Sequence, residues 1–518
     1  MHSDIIWFTP VAVLTSNMKQ VVGGWSRMLK EFLVLLLTAP DAGFQTSGVP
    51  LDLGGGMHCL LYAELRMLLS DGDGLRMALE WMGSSSTKPC FKHLNVLHKG
   101  GSDLVSTNPN YVTISCDDHT KFEAWREKDF LEAIDLIVEA RASQLRGTLS
   151  KAKLETIERA FGFRATAEGL LASTTLRSLV CWQRVLRYDW VHTFLSEGVL
   201  TTVAWKLVAG AEEAGVASQS DLHDFLKLGW TKPLHNGKGG RNLWRIFNEF
   251  GAKANSSHAT IKCSASELLT LYALLRHYAE TRLRHPALAG KVQVFFLACK
   301  AVDNILLAKR GLLPMAEAGA NLRECLQRYL ACHLQVYGNN GVIPKTHWAF
   351  DVADQLCTDK WVFDAFAIER LHLRVRTIAD NVHNLRQFET SVLSGVVNYH
   401  STMCQQCIPG CGLTGRTHQP EGHPGVLLSD KLDLGGKQFA FGDFVARGEE
   451  VGVVVACCVE GQDLFIVVDL WSKVTQVSQH SSTWEGARAR RVVWRAIEVL
   501  EVVAWVRVQN QHVLVIHM

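Results

Sequence analysis

The sequence predicts an α+β protein in which a mostly helical body precedes a C-terminal β region. For about 200 residues after Asp189, the apolar residues recur mainly with helical spacing. From Gly425 onward, β-branched runs such as DLFIVVDLW are separated by Gly, Asp and Asn turns, which is typical of short strands. Hydrophobic residues make up 47% of the 518 and charged residues 20%, as in globular rather than disordered proteins.

Composition limits the partners and the compartment. The formal net charge is only +2, so any contact with nucleic acid must come from local basic patches. The 14 cysteines lack the rhythm of a secreted domain, and Met1–Asp4 carries no basic region of a signal peptide. The apolar run Phe32–Ala39 is too short to span a bilayer. We therefore expect a soluble intracellular chain with reduced cysteines and no membrane contact.

Local signals mark several elements along the chain. Residues 5–14 form an apolar extended segment, and a helix over about 26–38 ends before Pro40. Ser150 is the predicted N-cap of a helix over 150–161. The stretch SASE at 264–267 reads as a capping box that begins another helix, because apolar residues follow it at helical spacing.

The C-terminal residues 425–518 are predicted to form a small β-domain. Their β-branched runs are short and separated by turns, so a barrel or a sandwich is expected. Arg488, Arg490, Arg491 and Arg495 form the basic cluster of this region. The preceding residues 401–424 are rich in Gly, Pro, Cys and His and break the helical pattern, so they are predicted to be a linker.

Asp189 follows a short apolar run in VLRYDWVHTFLSEGVL, at the predicted end of a strand. His192 comes three residues later, before an amphipathic run over 194–208. A carboxylate at a strand end suits Mg²⁺, and a neighbouring imidazole can orient a water or a phosphate oxygen. Spacing alone favours a simpler interpretation, in which Asp189 caps the helix that follows it.

A glycine-rich basic loop, GWTKPLHNGKGGRNLWRIF at 229–247, is a candidate for phosphate-backbone binding. It carries four cations next to aromatic residues: Lys232, Lys238, Arg241 and Arg245. A flexible basic loop of this kind can bind a nucleic acid, and it is equally well explained as a solvated surface loop. It is not a P-loop, because the spacing is wrong and no Ser or Thr follows the lysine.

Two segments carry zinc-ligand residue types. The linker contains Cys404, Cys407, Cys411 and His418, followed by His423, which have the reach for one tetrahedral zinc ion. Only the first cysteine pair has the standard spacing, so a Gly/Pro-rich linker without a metal is the favoured interpretation. The other segment, TKPCFKHLNVLH, pairs Cys90 with His93 at the spacing of half a zinc site. Because no second C-x-x-C follows closely, the sequence favours loop residues without a metal at this second segment.

Four segments, in their order along the chain, resemble segments of a known family. They are LEWMGSSSTKPCFKHLNV (79–96), YDWVH (188–192), IKCSASELLTLYALL (261–275) and CTDKWVFDAFAIERLHLRVRTIADNVHN (357–384). Together they resemble the transposases of CACTA-type (En/Spm) DNA transposons. YDWVH matches the D-x-x-H motif of that family, and the third segment resembles its K-x-H-x-C-H helix only loosely. The resemblance covers roughly residues 5–400, and His93 stands where the family usually has a second Cys.

The resemblance implies a ribonuclease-H-like core that catalyses phosphoryl transfer with two divalent ions. In that family three carboxylates hold Mg²⁺ or Mn²⁺, one ion activating the attacking hydroxyl and the other stabilising the leaving oxygen. By resemblance, Asp189 is the second carboxylate and Glu369, in the family's F-E-R position, is the third. His192 completes the implied catalytic group. Without the resemblance to the family, Glu369 would be interpreted as an exposed helix residue that pairs with Arg370 or a later basic residue.

One departure from the family pattern concerns the first catalytic Asp. The family has it upstream of a segment resembling IIWFTPVAVL at 5–14, and Asp4 is the only acid before that segment here. The sequence therefore resembles an N-terminally truncated transposase, whose two-metal site would bind its ions poorly. One alternative is a non-catalytic remnant that binds nucleic acid or protein, and another is an interaction protein stabilised by zinc at 404–423.

The resemblance also implies a domain order and partners. The expected order is an incomplete ribonuclease-H-like core (1–200), a helical insertion (201–355), a helix returning to the core (356–400), the linker (401–424) and the β-domain (425–518). Transposon-end DNA is the implied partner, the nucleus is the implied location, and a homo-oligomer is left open.

Overall fold

A computed structural model gives the fold of the chain. It describes residues 21–98, 108–228, 230, 242–247, 260–366, 375–383, 385–405, 411–423, 425–434, 437–461, 463–499, 501–509 and 512–516.

Helices dominate the chain up to residue 405. In chain order the α-helices of the described ranges are α1 (Gly24–Thr38), α2 (Gly72–Leu79), α3 (Glu127–Leu145), α4 (Lys151–Phe161), α5 (Thr174–Leu179), α6 (Trp182–Val185), α7 (Trp190–Phe194), α8 (Val199–Glu213), α9 (Gln219–Leu226), α10 (Ala265–Arg282), α11 (Ala289–Lys309), α12 (Met315–Tyr337), α13 (Pro344–Asp359) and α14 (Phe388–Gln405). Short 3₁₀ turns cover His119–Lys121, Leu170–Ala172, Leu243–Phe247, Pro286–Leu288, Leu385–Gln387 and Ala496–Glu498.

Strands are short before residue 411 and longer after it. They are β1 (Val49–Asp52), β2 (His58–Leu61), β3 (Leu68–Ser70), β4 (Val96–Leu97), β5 (Val112–Thr113), β6 (Leu186–Tyr188), β7 (Cys411–Leu413), β8 (Thr417–His418), β9 (Val426–Ser429), β10 (Lys431–Leu434), β11 (Lys437–Ala440), β12 (Phe444–Arg447), β13 (Glu450–Glu460), β14 (Asp463–Ser478), β15 (Ser481–Arg495), β16 (Glu501–Val502), β17 (Ala504–Gln509) and β18 (His512–Ile516). The mixture of helix and strand agrees with the predicted α+β class.

The predicted helix starts at Ser150 and Ser264 are confirmed. The Ser150 hydroxyl accepts a hydrogen bond from the Lys153 N–H at 3.3 Å, at the start of α4. At α10, Ser264 Oγ accepts from the Glu267 N–H at 3.2 Å, and the Glu267 carboxylate accepts from the Ser264 N–H at 2.7 Å. Both capping patterns depend only on neighbours three residues apart, which is why the sequence predicts them.

The chain divides into two compact units. Of the described residues, those within 194–313 and 366–518 form one unit, and those within 11–193 and 314–365 form the other. This division cuts the predicted helical insertion 201–355 between Leu313 and Pro314, so α12 and α13 belong with the N-terminal elements. The β region from Gly425 belongs with α8–α11. We refer to these as the C-terminal unit and the N-terminal unit.

The predicted change to β structure in the C-terminal unit is confirmed. Antiparallel strands form a nine-stranded sheet with the order β16-β12-β13-β14-β15-β18-β17, and β9 and β8 extend it beside β13. Successive residues of a strand point to opposite faces of the sheet, and both faces of strand β12 are buried. Val445 packs in one apolar cluster with Ile466 and Trp494, whereas Phe444 packs in another with Trp484.

Strand pairing in the N-terminal unit is sparse. Among the described residues before 411, the strands form three two-stranded pairs: β1 with β2 antiparallel, and β3 with β6 and β4 with β5 parallel. These pairs do not amount to a large central sheet, so the ribonuclease-H-like core stays a prediction. No helix in the described ranges is long and apolar enough to cross a membrane.

Helices α12 and α13 approach each other closely at Gly319. A Cβ atom built on Gly319 would lie 2.7 Å from the Ala353 carbonyl oxygen and 2.5 Å from Cys357 Sγ. The carbonyl belongs to the backbone of α13 and cannot move aside without shifting that helix. Gly319 therefore permits the close packing that holds α13 in the N-terminal unit.

We expect Gly319→Ala to destabilise the protein by about 1–3 kcal/mol, because the added methyl group overpacks a helix contact. The matched control is Gly210→Ala within α8, where the new Cβ meets only the flexible end of Lys291. Since Ala has a higher helix propensity than Gly, the control should be neutral or stabilising. Thermal unfolding of both variants measures the difference, and a Gly319→Ala variant as stable as the control would contradict the prediction.

Candidate metal centre

Four buried side chains with metal-ligand chemistry meet inside the N-terminal unit. Their ligand atoms all lie within 4.8 Å of one another, and the set could hold a metal ion. They come from two segments more than two hundred residues apart in sequence. We call them the metal cluster: Cys90, His93, His347 and Asp351.

The first two ligands lie on an irregular segment before β4, which backbone hydrogen bonds hold in place. The Trp125 N–H donates to the Lys92 carbonyl at 2.9 Å, and the Leu94 N–H donates to the Glu123 carbonyl at 2.8 Å. These two bonds flank His93 and fix its backbone against the segment 123–125. The Lys92 N–H also donates to Cys90 Sγ at 3.3 Å, which orients the sulfur.

The other two ligands lie on α13, whose first residue, Pro344, suits a helix start. His347 and Asp351 are four residues apart, so they project from the same face of this helix. The indole N–H of Trp348 donates to the Pro89 carbonyl at 2.8 Å. Because Pro89 precedes Cys90, this bond ties the helix to the segment that supplies the first pair of ligands.

Aromatic rings surround the metal cluster and exclude water. The Tyr188 ring stacks between Phe91 and Trp348, with centroid distances of 4.4 and 4.8 Å. Its hydroxyl donates to Cys90 Sγ at 3.5 Å. The ring of Phe122 packs edge-on against His347 at 4.6 Å.

The distances within the metal cluster suit one small cation. His93 Nδ1 lies 3.6 Å from Cys90 Sγ, 3.1 Å from His347 Nε2 and 3.6 Å from Asp351 Oδ1. Asp351 Oδ2 lies 3.8 Å from Cys90 Sγ and 4.0 Å from His347 Nε2. Tetrahedral zinc bonds of about 2.0–2.3 Å would separate ligand atoms by roughly 3.3–3.7 Å. Small side-chain movements therefore bring all four atoms into a zinc coordination sphere.

Burial drives all four groups toward their neutral forms when no cation is bound. It raises the pKa of the Cys90 thiol and raises that of the Asp351 carboxyl well above its usual value. It lowers the pKa of His93 to about 4 and that of His347 well below the usual value. A divalent cation reverses the balance for the acids, because one thiolate and one carboxylate neutralise its charge.

One histidine of the metal cluster has a ring nitrogen whose hydrogen-bonding capacity is unsatisfied among the described residues. His347 Nδ1 is buried and has no hydrogen-bond partner among the described residues. Ligating histidines usually donate their second N–H to a carbonyl or a carboxylate, which raises their basicity. His347 is therefore expected to be the weakest of the four ligands.

Asp189 lies at the end of β6, as predicted, and its carboxylate caps α7. Oδ1 accepts hydrogen bonds from the N–H groups of Val191 and Ala365, both at 3.1 Å. Oδ2 accepts from the His192 N–H at 3.0 Å and also contacts the His192 ring at Nδ1. The side chain is 1% exposed. The capping interpretation of Asp189 is confirmed.

The predicted magnesium site cannot be assembled from the described residues. Glu369, the predicted third carboxylate, lies outside them, and so does Asp4. The carboxylate oxygens of Asp189 already accept three backbone hydrogen bonds and contact His192. The catalytic role of Asp189, His192 and Glu369 stays a prediction.

The basic loop and the linker are described only in part. Lys232, Lys238 and Arg241 lie outside the described residues, whereas Arg245 is exposed and its guanidinium lies 5.2 Å from the Trp244 ring centroid. In the linker, Cys407 and the side chains of Cys404 and Cys411 lie outside the description, and His418 is exposed on β8. These contacts test neither the predicted nucleic-acid binding of the basic loop nor the predicted zinc site of the linker.

Cys90 and His93 lie on an irregular segment, as predicted, and the structure adds two partners that could complete a metal site with them. Their missing half-site is not a second C-x-x-C close behind them but His347 and Asp351 on α13. The sequence does carry a signal for this pair, because H-x-x-x-D within a helical pattern places two ligands on one face. The signal is weak without knowledge of which distant segments meet.

Comparison of the chain with protein-family models, with curated proteins and with solved structures finds no match. The functional argument therefore depends on the geometry and on the resemblance in sequence described above.

We expect Asp189→Ala to lower the free energy of unfolding by about 2–4 kcal/mol, because it leaves two buried backbone N–H groups and one partly buried one without an acceptor. Asp71 provides a matched control, since it caps α2 from an exposed position through one bond to the Gly74 N–H at 2.6 Å. Asp71→Ala should cost much less, because water replaces the lost acceptor. Denaturant unfolding of both variants tests this, and equal losses would contradict it.

Proposed function

We propose that this chain is a non-catalytic, zinc-stabilised protein of CACTA-transposase descent that binds nucleic acid. The metal cluster carries the proposal: four buried ligand atoms from two distant segments lie within 4.8 Å of one another. The transposase descent comes from the resemblance of the sequence alone. The DNA partner and a nuclear location are further parts of the same proposal.

The set of donor atoms favours zinc over magnesium or calcium. One sulfur, two imidazole nitrogens and one carboxylate oxygen match the ligands of structural zinc sites, whereas Mg²⁺ and Ca²⁺ prefer oxygen. Four protein ligands also complete a tetrahedral shell. Since all four side chains are buried, no coordination position is left for a substrate or a reactive water. A zinc ion at this cluster would therefore stabilise the fold.

The surroundings of Asp189 support the non-catalytic part of the proposal. A carboxylate that bridges two metal ions needs lone pairs directed at them. Here both oxygens accept backbone hydrogen bonds, and the side chain is almost fully buried. Binding Mg²⁺ would require the cap of α7 and the bond to Ala365 to break.

Cations around Trp244 support nucleic-acid binding. The Lys227 ammonium lies 5.1 Å from the Trp244 ring centroid, and the Arg245 guanidinium lies 5.2 Å from it. Both cations belong to the C-terminal unit; Lys227 precedes the basic loop, and Arg245 is one of its four cations. An aromatic ring with neighbouring cations can stack on a base while the charges contact phosphates.

Purified protein should contain one zinc ion per chain that depends on the metal cluster. We expect Cys90→Ser and His347→Ala to lose this zinc and to lower the unfolding temperature. Elemental analysis and thermal unfolding of the full chain measure the two effects. Chelation of the parent protein should reproduce the loss of stability, because the binding free energy of a structural metal contributes to folding.

Two matched controls separate the metal cluster from other cysteines. Cys116→Ser, in the same unit but outside the cluster, should keep the zinc and the stability of the parent. Cys407→Ser tests the linker, and loss of zinc in this variant but not in Cys90→Ser would move the metal to 404–418. Parent protein without zinc, or Cys90→Ser with full zinc, would contradict the proposal.

We expect no Mg²⁺- or Mn²⁺-dependent cleavage or strand transfer by the full chain on DNA. The physical reason is that Asp189 is committed to the backbone, and phosphoryl transfer depends on accurate metal placement. The assay compares the parent with Asp189→Ala and Glu369→Ala. Cleavage by the parent that both variants lose would make the chain an active transposase-like nuclease.

A further inference from the structure

The N-terminal unit has a surface pocket of about 450 Å³, and no residue of the metal cluster is among the residues that line it. Its walls come from the end of α2, the segment after it up to Thr87, and the region around the C-terminal end of α4. Neither the zinc site nor the capping role of Asp189 uses these residues. The pocket therefore needs its own explanation.

Backbone hydrogen bonds fix two walls of the pocket against each other. The Met82 N–H donates to the Gly162 carbonyl at 2.8 Å, and the Arg164 N–H donates to the Glu80 carbonyl at 2.8 Å. Gly162 ends α4 with φ +81°, and an added Cβ there would lie 2.7 Å from Lys88 Cβ. This close approach makes the pocket a preformed feature of the fold.

Three arginines line the pocket. Their side chains are 51%, 66% and 66% exposed for Arg76, Arg159 and Arg164. Each makes an ion pair with an acid near its own position, at 3.2, 3.6 and 3.9 Å. The pairs of Arg76 and Arg159 are exposed and contribute little, so these guanidiniums can turn toward an anionic ligand at small cost. The partner of Arg164, Glu158, is buried and also pairs with Arg141, so it keeps a cation when Arg164 turns away.

The acidic side chain in the lining is held by other bonds. The Glu80 carboxylate accepts hydrogen bonds from the Thr166 N–H at 2.9 Å and from the Thr166 hydroxyl at 2.7 Å. Burial also raises the pKa of the Glu80 carboxyl above its usual value. The lining residues therefore present a net positive charge.

The rest of the lining offers hydroxyl groups and apolar surface. Ser85 and Thr87 supply hydroxyls to the lining, and Met77 and Met82 supply thioether side chains. Arginine binds phosphate through two parallel N–H···O bonds, and hydroxyls add further donors. Methionine adapts its shape to flat apolar groups such as a base. A volume of about 450 Å³ lies within the usual range for a small-molecule site.

We propose that this pocket binds a phosphate group carried on a molecule of mononucleotide size. The three guanidiniums contact the phosphate, and the methionines contact the attached base. The same chemistry is offered by a free nucleotide and by the phosphorylated end of a single strand. The site does not depend on the zinc ion, so it can exist whether or not the proposed function is correct.

Calorimetric titration of the full chain tests the pocket with AMP, adenosine, inorganic phosphate and a short single-stranded oligonucleotide with or without a 5′ phosphate. We expect AMP to bind at least about ten-fold more tightly than adenosine, because the phosphate supplies the charge-assisted bonds. The Arg159→Gln/Arg164→Gln double variant should weaken AMP binding by at least about ten-fold. Tighter binding of the phosphorylated oligonucleotide than of AMP would identify a strand end as the source, and the reverse would identify a free nucleotide.

Arg146→Gln is the matched control, because Arg146 is an exposed, ion-paired arginine of the same unit outside the pocket. It should bind AMP like the parent. Zinc content and unfolding temperature show whether each variant is folded, and Arg76→Gln alone provides a second test if the double variant is unstable. Equal binding of AMP and adenosine, unchanged affinity in the folded variants, or no binding of any phosphorylated ligand at millimolar concentration would overturn the proposal.

Discussion

The burial of four ionisable groups in one cluster constrains the N-terminal unit more than any other feature. Desolvation penalises a thiolate and a carboxylate so strongly that only a nearby cation makes their charged forms stable. The cluster also needs α13 and the Cys90–His93 segment in fixed positions. Gly319, the Trp348 indole and the aromatic rings around Tyr188 all serve that placement.

Strand β6 connects the metal cluster to Asp189. Gln355 of α13 accepts from the Tyr188 N–H at 2.8 Å and donates to the Tyr188 carbonyl at 2.9 Å, so a side chain replaces a neighbouring strand. The next residue is Asp189, whose carboxylate caps α7. The YDWVH segment thus fixes the start of α7 beside the cluster.

The predictability of each feature follows the range of the interactions that form it. The caps at Ser150 and Ser264 depend on residues three positions away, and the sequence predicts both. The β region after Gly425 is predicted because strand patterns are local too, whereas its sheet order is not. His347 and Asp351 were missed, since nothing near Cys90 indicates that α13 packs there. For Asp189, the cap of α7 is local and was predicted, whereas the hydrogen bond from the Ala365 N–H, 176 residues later, was not.

The separation of the two ligand pairs has a consequence for synthesis. His93 and His347 are 254 residues apart, so Cys90 and His93 leave the ribosome long before their partners are made. At about 5–20 residues per second the delay is roughly 10–50 s. During that interval Cys90 and His93 have no ligand partners from α13. The metal cluster can therefore be completed only after α13 has been synthesised.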